Sequence, residues 1–166
     1  MKIIQHFDRM LCGLSIGQSM FFENLIAYAN SLSYEPGRQG TGYEKAAVAK
    51  DRYESLRITS LKELGVVAKY GHQGEFIAEG HDCYFLRYPE KSHIPLHLDD
   101  APFGKEHRRF NLILLQPYKG GELYVEGHRI DLLPGDAYIF RPDKEEHEVR
   151  LIQDGVRLVW TVGVLA

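Results

Sequence analysis

Cysteine is scarce: only Cys12 and Cys83 occur among 166 residues. They form no Cys-x-x-Cys pair and no disulfide framework can be read from them, so the sequence predicts two reduced thiols and a cytoplasmic setting. Long apolar runs are missing too, which excludes a bilayer-spanning helix and leaves no membrane partner to expect. The stretch 1–13 interrupts its apolar residues with His6, Asp8 and Arg9, unlike the unbroken core of a signal peptide. Charge is nearly balanced at a net -3, so there is no general pull towards nucleic acid. Internal repeats and low-complexity tracts are absent.

What is present suits one globular domain, since the length can bury a sizeable core. Hydrophobic residues make up 44% and charged residues 26%. The two halves differ in pattern. In the first, Phe21, Phe22, Leu25, Ile26, Tyr28 and Ala29 recur at the spacing of one helix face, predicting a helix over 19–32. A second helix is expected over 60–70, where Ser60 suits an N-cap and Glu63 its capping-box partner. Between them, Tyr34 to Tyr43 (YEPGRQGTGY) is a loop rich in glycine and polar residues. It lacks the Lys-Ser/Thr ending of a phosphate-binding loop. Two uses stay open for it: a lid whose Arg38 meets an anionic group, or an ordinary surface loop.

The second half predicts strands over 83–88, 110–116, 121–126, 128–132, 137–141, 148–152 and 157–164, with a hairpin about Gly127. Short strands separated by turns roughly every 8–12 residues indicate a sandwich or barrel. With helices first, the expected class is α+β, built around a β-barrel.

Candidate chemistry clusters in the second half. His97 and Asp99 are two apart in an extended segment, so both can face one point. His147, near a strand end, is the candidate third ligand. Two imidazoles and one carboxylate on one face of an ion leave positions open, which suits non-haem Fe(II). A closed structural zinc site needs four ligands, usually with thiolates, and no cysteine is adjacent. On spacing alone, a surface His and Asp in a turn, with His147 in the acidic stretch DKEEHE, remains an equal alternative. Arg157 is ten residues past His147, and a turn at Asp154-Gly155 would bring the two close across a hairpin. An inward guanidinium requires a partner, and a dicarboxylate would provide one by a bidentate contact. A surface Arg paired with Asp154 is the other reading. Lys105, His107, Arg108 and Arg109 form a basic cluster that could steer an acidic substrate or nucleic acid, or simply be a solvated turn. Arg109 has the further option of pointing into the pocket.

Five blocks, in order, resemble the catalytic half of the prolyl-hydroxylase-like Fe(II)/2-oxoglutarate oxygenases. They are RYPEKSHIPLHLD, RRFNLILL, GGELYVEG, PGDAYIF and HEVRLIQDGVRLVWTVGV. The likeness runs from Tyr84 to Val164, about half the chain, and implies a double-stranded β-helix (jelly-roll) barrel with N-terminal supporting helices. It implies a single domain over 1–166, with 1–75 mainly supporting helices and loop and 76–166 the catalytic barrel. By position, His97, Asp99 and His147 would bind Fe(II) and Arg157 would pair with the distal carboxylate of 2-oxoglutarate. Tyr88 matches a tyrosine that hydrogen-bonds this co-substrate, and Asn111 a further polar contact. O2 would be the second co-substrate and ascorbate an accessory. The glycine usual three residues after the tyrosine is Lys91 here, so the loop before the ligands is expected to differ.

The implied reaction is hydroxylation of a C–H bond, releasing succinate and CO2, in a peptidyl or free amino acid such as proline. The partner is then a small molecule, peptide or protein, and the sequence leaves oligomeric state open. A nucleobase-oxidising oxygenase is less favoured. The alkylated-DNA demethylases carry a second arginine six residues after the first, where this chain has Gly163. A non-catalytic cupin-like binder is the third reading, since PGDAYIFRPDKEEHEV resembles the second cupin motif. Cupins usually offer His-x-His where this chain has His97-x-Asp99.

Overall fold

The computed structural model describes residues 1–5, 17–47 and 81–165. The helix expected over 60–70 and Cys12 lie outside these residues. In chain order the elements are β1 (Lys2–Ile4), α1 (Gly17–Ser31), β2 (Glu35–Pro36), β3 (Glu44–Ala47) and β4 (His81–Tyr88). There follow β5 (Ile94–His97), β6 (His107–Leu115), β7 (Lys119–Gly120), β8 (Leu123–Val125) and β9 (His128–Ile130). The last are β10 (Ala137–Phe140), β11 (His147–Val149), β12 (Ile152–Asp154) and β13 (Arg157–Leu165). None of the helices among the described residues is long and apolar enough to cross a membrane.

Among the described residues all strand pairings are antiparallel. A seven-stranded sheet runs β1-β10-β6-β13-β4-β3-β2, and a four-stranded sheet runs β5-β11-β8-β9, with β12 and β7 as a separate pair. Strand periodicity explains how the large sheet is covered on both faces. Along β6 and β13, Phe110, Leu112, Leu114, Leu158, Trp160 and Val162 share a core cluster with Leu25 and Ala29 of α1. Their alternates Ile113 and Val159 join Leu123, Val125, Phe140 and Val149 in a second cluster, the barrel interior. Burial on both faces is why these strands read as almost unbroken apolar runs. In α1, Leu25 and Ala29 are four apart and fully buried, as the expected 19–32 helix requires. The result is a jelly-roll double-stranded β-helix with, among the described residues, one helix packed outside it.

Three expectations need correction. The strand expected over 148–152 is two strands, β11 and β12, which enter different sheets. Arg150 and Leu151 separate them. It follows that His147 and Arg157 are not hairpin partners. Arg157 lies on β13 opposite Tyr88 of β4, while His147 lies on β11 opposite His97. They belong to facing sheets, because the chain crosses over after β12. Finally, the first half is more than helices and loop. It supplies β1 to one edge of the large sheet and β2 and β3 to the other.

The hairpin about Gly127 has a two-residue loop, with Val125 opposite His128 and positive φ at both Glu126 and Gly127 (52° and 74°). Such a turn matches the twist of its flanking strands. The other demanding glycine is Gly120. Its φ is 80°, and any Cβ there would run into the carbonyl of Leu151, just before β12.

Candidate metal centre and its pocket

His97 ends β5 and His147 begins β11, and the two face each other in register. Their ring centroids are 4.2 Å apart. Asp99 lies just beyond β5, fastened by its amide N–H, which donates to the Pro142 carbonyl at 2.8 Å. The ligand atoms of His97, Asp99 and His147 all lie within 4.8 Å of one another. The sequence thus names three residues that the fold does bring to one point.

Each imidazole is oriented by the backbone two residues before it. Nδ1 of His97 faces the Pro95 carbonyl at 2.8 Å, and Nδ1 of His147 faces the Glu145 carbonyl at 3.0 Å. A carbonyl only accepts, so both Nδ1 atoms carry protons and Nε2 is left as ligand atom. The His147 ring also abuts the Phe140 ring edge-on at 4.8 Å. Burial holds the His147 pKa below the usual imidazole value, which favours the neutral, ligating form. His97 is raised, chiefly by its hydrogen bond to Asp99, with Nε2 and Oδ1 at 3.1 Å. For Asp99, burial pushes upward. The His97 hydrogen bond and the charges of His147 and Arg109 overcome it and hold the carboxyl below its usual range. A divalent cation would take the place of the His97 Nε2 proton between these two groups.

Behind the cluster is a cavity of about 250 Å³. Its apolar walls include Leu86, Ile94, Leu123 and Val149, and its polar lining includes Asp82, Tyr84, Arg109, Asn111 and Thr161. On the outer side His97 and Asp99 also border a hollow of about 310 Å³ lined by Arg38, Leu98 and Asp100. Tyr88 lines the inner cavity and stacks on Tyr43, centroids 5.4 Å apart. Asn111 lines it too, opposite Tyr138 on β10.

Arg157 is 1% exposed, and its Nε and Nη1 have no hydrogen-bond partner. Its guanidinium carbon lies 5.5 Å from the Tyr88 ring centroid, and a hydrogen bond links it to the Tyr138 side chain. It therefore sits behind two tyrosines that line the cavity. Burial pushes both phenols upward, with Arg157 opposing, so each hydroxyl keeps its proton. A guanidinium this buried with two idle donors fits a carboxylate ligand reaching it from the cavity. The surface pairing with Asp154 is excluded by this burial.

The basic cluster at 105–109 is not a cationic patch. Arg108 pairs with Glu106 at 2.8 Å, Arg109 pairs with Asp82 at 2.9 Å, and His107 is buried. The 34–43 loop contains β2 and is pinned by Gly37 N–H to the Tyr43 carbonyl (2.8 Å) and His93 N–H to the Thr41 carbonyl (2.9 Å). Sequence reasoning assigned no site role to Asp82, Tyr84 or Tyr138. Counting back in twos from Tyr88 reaches Tyr84 and Asp82 on the same strand face. Tyr138 is visible only once β10 is registered against Asn111.

Fold and site together define a class: a double-stranded β-helix barrel with two histidines and one carboxylate at one mouth. No family model matches the sequence, and none of the curated proteins does. Solved structures do. A prolyl-4-hydroxylase from Pseudomonas putida is 20% identical, with TM-score 0.68 over 98% of this chain and 90% of that one. The viral collagen prolyl hydroxylase of Paramecium bursaria Chlorella virus-1, solved with 2OG, is 16% identical, with TM-score 0.69 over 99% of this chain and 94% of that one. HygX from Streptomyces hygroscopicus, with nickel and 2-oxoglutarate bound, is 13% identical, with TM-score 0.64 over 97% and 80%. The protein has the double-stranded β-helix fold in the form that prolyl hydroxylases carry.

Proposed function

We propose that the protein is an Fe(II)- and 2-oxoglutarate-dependent dioxygenase. Its reaction is hydroxylation of a C–H bond in a peptidyl or free amino acid such as proline, with release of succinate and CO2. One juxtaposition carries this reading. A His-Asp-His cluster borders a cavity, and a buried arginine with two unpaired nitrogens stands behind Tyr88 and Tyr138, which line it. A binder that used the metal alone would have no need of that arginine.

His97, Asp99 and His147 would hold Fe(II). Arg157 would pair with the far carboxylate of 2-oxoglutarate, Tyr88 would donate its retained phenol proton to the same co-substrate, and Asn111 would give a further polar contact. When bound, iron and 2-oxoglutarate together supply the oxidising power for O2 chemistry. Leu86, Ile94, Leu123 and Val149 keep the cavity walls apolar and limit water beside the reacting bond. Substrate would approach from the outer hollow, where Arg38 offers a cation to an anionic or carbonyl group. The likeness to prolyl hydroxylases supports an amino acid or peptide substrate.

The test is an anaerobic Fe(II) titration in the presence of 2-oxoglutarate, watching the weak visible charge-transfer band of the chelate. The band should appear in the intact protein and vanish in His97→Ala. Arg157→Ala should lose at least tenfold in 2-oxoglutarate affinity while keeping the metal (about 1.4 kcal/mol or more). Metal binding without any band would refute the oxygenase reading.

A further inference from the structure

Beside the proposed ligands lies a chain of polar groups that the reading above does not use. His107 opens β6, is 8% exposed, and places Nε2 3.3 Å from Nη2 of Arg109. An arginine can only donate, so Nε2 of His107 must accept and its proton must sit on Nδ1. That Nδ1 is buried and has no hydrogen-bond partner. It faces Oδ2 of Asp99 at 3.8 Å. A movement of about 1 Å would bring the pair to ordinary N–H···O distance.

Arg109 is itself held from several sides. Nη1 donates to Asp82 Oδ1 and to Thr161 Oγ1, both at 3.0 Å. Nη2 donates to Asp82 Oδ2 at 2.9 Å. The Gly163 amide donates to Asp82 Oδ1 at 3.1 Å, locking the carboxylate in turn. With three of its four terminal N–H groups spent in this way, the fourth, on Nη2, is directed at His107. The direction of donation is then set throughout: Asp82 holds Arg109, Arg109 sets the His107 tautomer, and His107 offers a proton donor towards Asp99. A carboxylate has two oxygens that compete for one cation, and a donor on one of them decides which oxygen is left to bind.

We propose that His107 is a positioning residue for Asp99. Its Nδ1–H takes Oδ2, so that Asp99 presents Oδ1 alone to the metal, and Arg109 and Asp82 enforce the tautomer. This rests on the metal-binding reading of His97, Asp99 and His147.

The experiment uses Co(II) as probe, because its visible d–d bands report coordination number as well as occupancy. Binding is titrated for the intact protein and for His97→Ala, His107→Phe, His107→Gln and His107→Asn, with thermal unfolding of each metal-free form. An Asn side chain can place an N–H where Nδ1 stands; a Gln places its amide at the Nε2 position and leaves the Asp99 side empty. His107→Phe and His107→Gln should weaken Co(II) about ten- to hundredfold and change the d–d bands. His107→Asn should recover most of both. If the Phe variant fails to fold, the contrast between Asn and Gln carries the result. Wild-type affinity and spectrum in Phe or Gln, or equal losses in Asn and Gln, would overturn the proposal. If the intact protein binds no Co(II), or His97→Ala binds it equally well, the metal reading has failed and takes this inference with it.

Discussion

Lys91 holds a backbone that suits glycine better than lysine. It stands where the family this sequence resembles usually has glycine, and its φ is 68°, in the left-handed region. Two backbone hydrogen bonds hold this turn in place. The Lys91 amide donates to the Ile152 carbonyl at 2.8 Å, and the Ile152 amide to Ser92 at 2.9 Å, so β12 clamps the turn. The lysine carries a strain of about 1–2 kcal/mol that glycine would not. Glycine would lose roughly 0.5–1 kcal/mol of this through its freer unfolded chain. Lys91→Gly should therefore raise the melting temperature by about 1–3 °C in a chain of this size, read by thermal circular dichroism. An unchanged or lower value would mean that the lysine side chain contributes a contact that outweighs the strain.

Among the elements, the turn between β10 and β11 decides where His147 stands. Its acidic sequence, DKEEHE, invites the reading of a solvated surface, but Asp143 and Glu145 are tied to Arg141. Arg141 makes a two-pronged contact with Asp143, at 2.9 and 2.6 Å, and reaches Glu106 at 3.1 Å. The Arg141 amide donates to Glu145 at 2.6 Å. Hydrogen bonding from Arg141 holds the Asp143 carboxyl below its ordinary value of 3.8. A depressed carboxyl stabilises the fold fully above its unfolded value and loses that contribution as pH falls through its folded value. Asp143→Asn should lower the melting temperature at neutral pH by about 2–4 °C, equivalent to about 1 kcal/mol. The gap to the parent should close as the pH falls below the carboxylate range. A gap that persists in acid would show the effect to be steric. Legibility varied along this same stretch. His97 and Asp99 could be paired from strand geometry alone because they are two apart. His147 and Arg157 could not be arranged correctly, because a break at Arg150-Leu151 sends successive strands to different sheets and no local pattern announces it. The strands β6, β10 and β13 were legible because burial on both faces concentrates apolar residues there. Polar lining residues such as Asp82 and Tyr138 were not, since a cavity wall looks in sequence like any alternating strand.

At the scale of the whole molecule, the two halves of the chain are interleaved. β1 pairs with β10 at one edge of the large sheet and β3 with β4 at the other, while α1 lays Leu25 and Ala29 on Phe85 and Trp160. We propose that 1–166 folds as one domain and that 76–166 does not stand alone. Expressed by itself, 76–166 would expose two sheet edges and the face that α1 covers. It should be aggregation-prone and lack a cooperative thermal transition, whereas the full chain should unfold in one step. A soluble fragment with a sharp transition and metal affinity like that of the full chain would disprove this interdependence.

Gly163 has a bearing on how this scaffold could be re-purposed. A Cβ on it would come within 2.6 Å of the Arg109 guanidinium and 2.7 Å of the Asp82 carboxylate. In the alkylated-DNA demethylase pattern a second arginine would fall at position 163, where its side chain would displace the ion pair already seated there. An evolutionary or engineered route to such an activity would have to rearrange Arg109–Asp82 first, giving up a partly buried ion pair before gaining any new contact. The two arginines are alternative tenants of one space, so position 163 is best varied together with 82 and 109.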